Sequence, residues 1–186
     1  MRPLAADPRA RARSRVKLVL LALFLASPFA LAWLAWWRDW APGITGNYGE
    51  LITPPQPLEA PAFAPLRGKW VLVTFDASAC GPYCERKLYY MRQVRRAQGA
   101  DQGRVERLWL VTDGGRPGAA LLGAIEGTRI ERAGALAARF PAAGALADHI
   151  YIVDPLGNLM LRYPRDPDPS RMLKDVQRLL KLSGIG

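Results

Sequence analysis

Residues 70–96 read WVLVTFDASACGPYCERKLYYMRQVRR, and this stretch decides the fold. Trp70 to Phe75 is a nearly continuous apolar run. That pattern suits a strand covered on both faces rather than one. Cys84 to Gln98 reads as a helix. Its inward stripe is Leu88, Met91 and Val94, with Arg86, Lys87, Arg92, Arg95 and Arg96 outside it. Gly99 ends it. Between strand and helix lies Cys80-Gly81-Pro82-Tyr83-Cys84, which holds the only two cysteines of the chain.

Working outward, Arg107 to Thr112 is a second apolar strand, followed by Asp113-Gly114-Gly115. Strand, helix and strand with a crossover of this length make a parallel βαβ unit. Ala119 to Phe140 is alanine-rich and reads as two short helices broken near Gly127. His149 to Val153 is a third strand, and Asp154-Pro155-Leu156-Gly157 is a turn. Asn158 to Tyr163 returns as the fourth strand of a hairpin. Ser170 is expected to cap a last helix, whose core face is Met172, Leu173, Val176, Leu179 and Leu180. This order predicts an α/β, thioredoxin-like domain with a central mixed sheet and flanking helices. The cysteine turn then lies at the carboxyl end of a central strand, where open α/β sheets carry their chemistry.

The N-terminal part has a different character. Leu18 to Trp37 contains one polar residue, Ser27, and is long enough for a membrane-spanning helix of about 20 residues. Trp33, Trp36, Trp37 and Trp40 gather at one end, where indoles favour the membrane–water interface. Arg2, Arg9, Arg11, Arg13, Arg15 and Lys17 precede the run against one acid, Asp7, while Arg38 and Asp39 cancel after it. The positive-inside rule puts the N-terminus in the cytoplasm. Ala30-Leu31-Ala32 also fits a signal-peptide cleavage site, which leaves a cleaved leader as the alternative. Either route exports the rest of the chain, in a bacterium to the periplasm, where cysteine pairs are oxidised. The expected organisation is a cytoplasmic tail at 1–17, a transmembrane helix at 18–38, a proline-rich tether at 39–66 and the thioredoxin-like domain at 67–186. The net charge is +10. Beyond the basic tail, residues 67–186 hold 19 basic and 12 acidic residues. No nucleic-acid module is present, so this surplus points to anionic headgroups, an acidic protein surface or a solvated arginine-rich face.

The residues leave three uses for the pair. One is dithiol–disulfide exchange, with Cys80 attacking and Cys84 resolving. A helix start near Cys80 favours its thiolate, because unpaired N–H groups and the dipole face the sulfur. A second is Cu(I) binding by two soft thiolates. The only histidine, His149, is then the candidate third ligand, since it opens the strand expected to pack against the cysteine turn. The third is a structural disulfide on a non-catalytic scaffold. So short a loop constrains the unfolded chain little, which argues for a site over a staple.

These motifs resemble the Sco/SenC family of membrane-anchored, thioredoxin-like proteins that serve cytochrome c oxidase assembly. Phe75 and Cys80 match the family's strand end and first cysteine, and Cys80 with Cys84 matches its C-x-x-x-C motif. Leu110-Val111-Thr112-Asp113 is similar to its second strand end. Tyr151 to Gly157 is similar to its Tyr-Leu-x-Asp-Pro-x-Gly turn. The resemblance implies Cu(I) held by Cys80, Cys84 and a distal histidine, here His149, and delivered to the oxidase's copper centre, or reduction of that centre's cysteines to thiols. It implies as partner an oxidase subunit or its assembly factors, at the bacterial inner membrane. Two departures stand out. Gly81 and Glu85 replace the family's prolines, and His149 lies five residues before Asp154 where the family's histidine lies eight before.

Overall fold

The computed structural model describes residues 8–38 and 46–185. The chain divides into two units, one before Asn47 and one from Asn47 onward.

The first unit holds helix α1, Pro8–Trp37. Within it, Arg15–Trp37 is long and apolar enough to cross a membrane by length and composition. None of that stretch is buried by protein. The Trp33 and Trp36 rings meet at 5.8 Å. Arg2, Asp7, Asp39 and Trp40 lie outside the described residues.

The second unit is a six-stranded mixed sheet in the order β1-β6-β5-β2-β3-β4. Its strands are β1 Glu50–Pro57, β2 Trp70–Asp76, β3 Val105–Val111, β4 Arg129–Arg132, β5 Ile150–Val153 and β6 Asn158–Arg162. Helices α2 Pro82–Arg96, α3 Ala119–Ala124 and α4 Pro169–Leu182 complete it. Strand β2 pairs parallel with β3 and antiparallel with β5. Together with the alternation of its side chains between two faces, this makes β2 the centre of the core. Val71, Val73 and Phe75 enter one buried cluster, while Trp70 and Leu72 enter the other. The second cluster is closed by Met91 and Val94 of α2 and Met172, Val176 and Leu180 of α4. A strand covered on both faces has no polar face to show, hence an apolar run that only the buried Thr74 interrupts before Asp76.

Several expectations change. The proline-rich stretch expected as a tether is part of the domain. Strand β1 pairs antiparallel with β6, its register shifting between Leu51 and Gln56, around Pro54 and Pro55. An edge strand tolerates proline because its outer N–H groups face no partner. Leu58, Phe63 and Leu66 then sink into the first cluster, each no more than 3% exposed. They supply the cover that this face of the sheet needs. The second half of 119–140 is not helical throughout. It gives β4, which pairs parallel with β3, and a 3-10 turn over Gly134–Arg139. The cap of α4 is Asp168, whose carboxylate accepts from the Ser170 and Arg171 N–H groups. Ser170 sits inside the helix, because Pro169 fits the first helical position and the cap falls at Asp168, two residues earlier than expected.

Candidate functional site

The cysteine turn lies where β2 gives way to α2. Its N-cap is Gly81, which has no side chain to cap with, and Pro82 opens the helix. Cys84 is thus in the first turn, and Cys80 stands just before the cap. Cys80 takes a positive φ of 23°, held by its N–H donating to the Ala77 carbonyl at 3.1 Å. This conformation turns the chain back so that the two cysteines close a disulfide, with Cα atoms 5.2 Å apart. Cys80 is 7% exposed and Cys84 2%. Both belong to a small buried cluster with Leu88, Trp109, Val111 and Ile125. The first-turn N–H groups and the helix dipole favour negative charge at this end of α2.

Three polar anchors hold the turn in place. The first precedes it: the Asp113 carboxylate accepts from the Ser78 N–H and Oγ and from the Gly115 N–H. The Ser78 backbone bond, foremost among these, holds the Asp113 pKa below the usual carboxylate value. The second is within it. The Tyr83 hydroxyl donates to the Asp148 carbonyl at 2.9 Å and accepts from the Asp166 N–H at 3.2 Å. Burial pushes that hydroxyl's pKa up, so it stays protonated and able to donate. Lys87 and Arg86 lie over its ring at 5.2 and 5.3 Å, and Arg165 at 5.8 Å.

The third anchor is beneath it. Lys87 was expected on the solvated side of α2, yet it is 1% exposed. Its ammonium meets the Asp76 carboxylate at 2.5 Å and donates to the Phe75 carbonyl at 3.1 Å and to the Ala147 carbonyl. Burial pushes Asp76 up and Lys87 down, and the pairing opposes both shifts. The signal was present in the sequence. Cys84, Lys87, Leu88, Met91 and Val94 follow one helical stripe, and only the charge of Lys87 disguises its membership.

His149 is 5% exposed. Its Nδ1 lies 2.8 Å from the Tyr163 carbonyl and its Nε2 3.2 Å from the Ala143 carbonyl. Its ring packs edge-on to Tyr151 at 5.9 Å. Both ring nitrogens face backbone acceptors rather than the sulfurs. Among the described residues, no group of three or more histidine, cysteine, aspartate or glutamate side chains is arranged to hold a metal. The structure therefore brings Cys80 and Cys84 together and does not gather His149 with them.

A family model described as transmembrane-like, thioredoxin-like, C-terminal domain matches residues 70–183. Among solved structures, copper-bound yeast Sco1 is 17% identical with a TM-score of 0.51, over 63% of this chain and 82% of that one. Yeast Sco1 in a second structure is also 17% identical at 0.51, over 64% and 84%. Copper-bound ScoI of Bradyrhizobium japonicum is 20% identical at 0.48, over 61% and 87%. The two yeast structures share the fold seen here. No protein of curated function matches the sequence.

Proposed function

Because the chain belongs to the transmembrane-like, thioredoxin-like C-terminal domain family, we propose that it is a membrane-anchored thiol–disulfide exchange protein working through Cys80 and Cys84. The observation that carries this reading is the Cys80–Cys84 disulfide at the start of α2, with Cys80 the more exposed residue of the two. A partner thiolate attacks the Cys80 sulfur. The Cys80–Cys84 bond breaks, and its electron pair leaves on Cys84, which takes up a proton. A mixed disulfide now joins Cys80 to the partner. A second partner thiolate attacks the partner's own sulfur and releases Cys80 as a thiolate. The partner is oxidised and the pair reduced. Run backwards, the same steps reduce a partner disulfide, with Cys80 attacking and Cys84 resolving.

The anchor is α1, with its basic N-terminal flank in the cytoplasm and the thioredoxin-like domain in the periplasm of a bacterial inner membrane. The expected partner is a cytochrome c oxidase subunit or one of its assembly factors. That choice rests on the Sco-like motifs at Phe75, Cys80, Cys84 and Tyr151 to Gly157.

Cu(I) is the alternative cargo in that setting. Once reduced, the pair offers two soft sulfurs, but the donor set fits a copper site incompletely. His149, the expected third ligand, spends its ring on the Tyr163 and Ala143 carbonyls. The exchange reading accordingly runs through the two thiols alone.

Trapping tests it. A Cys84→Ser chain treated with oxidised glutathione should accumulate a glutathione adduct on Cys80, visible as a mass increment that dithiothreitol removes. Cys80→Ser should label far more slowly. Equal labelling of the two variants, or none, overturns the assignment of roles.

A further inference from the structure

A groove of about 630 Å³ runs along α2 away from the cysteine turn. Pro82, Glu85, Arg86, Tyr89 and Arg92 form one wall. Their spacing is that of a single helical face. The other wall is α3, which supplies Leu121, Ala124 and, just past its end, Ile125. The groove and the disulfide share a floor. Ile125 lies in the same buried cluster as Cys80 and Cys84, and Leu121 packs against it. Tyr89 is 54% exposed and Leu122, next to Leu121, is 42% exposed. An extended chain lying here reaches the disulfide at the Pro82 end.

Basic charge predominates around the far end, where Arg92, Arg95 and Arg96 act on Arg107 against Glu106. Arg107 is 3% exposed, and only its Nη2 has a partner, the Glu126 carbonyl at 2.6 Å. Its Nε and Nη1 are buried without a hydrogen bond among the described residues. Burial, then Arg95 and Arg92, pushes its pKa down to about 10, and Glu106 is the one acid that opposes them. Arg92, on the groove wall, donates to the Ala124 carbonyl at 3.0 Å and has no ion-pair partner among the described residues. Arg86 meets Asp166 at 2.8 Å, but both side chains are about half exposed or more, so that pair is weak and easily exchanged. A buried guanidinium ordinarily has a carboxylate or phosphate beside it. Among the described residues no carboxylate forms an ion pair with Arg107, and Glu106, which faces Arg95, is the one acid that acts on it.

We infer that this groove docks the redox partner through an extended segment carrying acidic residues close to its cysteine. The apolar floor takes the segment's side chains, and Arg92, backed by Arg107, receives its carboxylates. The acidic flank sets partner choice and speeds encounter more than it adds affinity. This rests on the exchange reading above and names the substrate class it acts on.

The test uses the oxidised full chain in detergent and short synthetic peptides with one cysteine, flanked by aspartates or by lysines. Each rate of mixed-disulfide formation is divided by that peptide's rate with oxidised glutathione, because flanking charge alters the thiol itself. The acidic peptide should react about ten-fold faster than the basic one at low salt, and 0.5 M salt should erase the difference. Arg92→Glu should bring the ratio to about one or below. Since that change also removes the bond to Ala124, Tyr89→Glu provides a second added negative charge on the groove wall, at an exposed ring, with the same expected loss of preference. Equal rates for both peptides in the unaltered chain, or a preference that survives both substitutions, overturns the groove. A Cys80–Cys84 bond that resists dithiothreitol in the unaltered chain overturns the exchange reading itself, and the groove's role with it.

Discussion

Lys87, one helical turn beyond Cys84, places its ammonium 2.5 Å from the carboxylate of Asp76, the last residue of β2. This buried pair ties the helix that carries the disulfide to the strand that delivers it. Removing one partner leaves an uncompensated buried charge. Lys87→Met should cost about 3 kcal/mol, and pairing it with Asp76→Asn should recover part of that loss. Urea unfolding of the full chain in detergent, followed by circular dichroism, measures both. A loss below about 1 kcal/mol for Lys87→Met contradicts the pair's role.

Acid should separate two carboxylates near the turn. The pKa of Asp113 is lowered by its bonds to Ser78, so its contribution is present above pH 3.8 and is lost as pH falls through its folded value. Asp76 is raised by burial, so stability falls as pH rises from 3.8 through its folded value. Asp113→Asn should flatten the acid loss below pH 3.8. Asp76→Asn should remove the decline above it. Unfolding free energy measured across the acid range reports both slopes.

Tyr83 lies inside the cysteine turn, and its hydroxyl both donates and accepts. Tyr83→Phe keeps the ring among its three cations but drops both bonds. It should destabilise the domain by about 1 kcal/mol and speed hydrogen exchange at the Asp166 amide. An unchanged exchange rate at Asp166 would show that the tether bears no load.

His149 should matter for stability and not for metal. His149→Phe removes the ring-nitrogen contacts with the Tyr163 and Ala143 carbonyls, at a cost of about 1–3 kcal/mol. Cu(I) retained by the reduced chain against a moderate chelator should be the same as without the substitution. A selective loss of Cu(I) in His149→Phe would restore that residue as a ligand.

Much of the domain was legible because buried elements write their period into the sequence. Strand β2 shows its two covered faces as an apolar run interrupted only by Thr74, and α2 shows its stripe at Leu88, Met91 and Val94. The hairpin is marked by Asp154 to Gly157. What escaped was written in less distinctive residues. Strand β1 is an edge strand with two prolines inside its span, so it looks like linker until β6 is seen beside it. Strand β4 has only one half-buried residue, Ile130, and no pattern to detect. At the site, the cysteines identify themselves, while Lys87 is hidden by its charge. His149 stands one residue before β5 rather than in it, and which carbonyls its ring meets depends on loops that carry no motif.

The most direct test of the central claim is a redox equilibrium of the full chain. It is held in dithiothreitol or glutathione buffers of graded potential, with free thiols counted by mass after alkylation. The account predicts one reversible two-electron transition of Cys80 and Cys84, with a midpoint between about −120 and −270 mV. A bond that stays closed below about −300 mV is a structural staple and would contradict it.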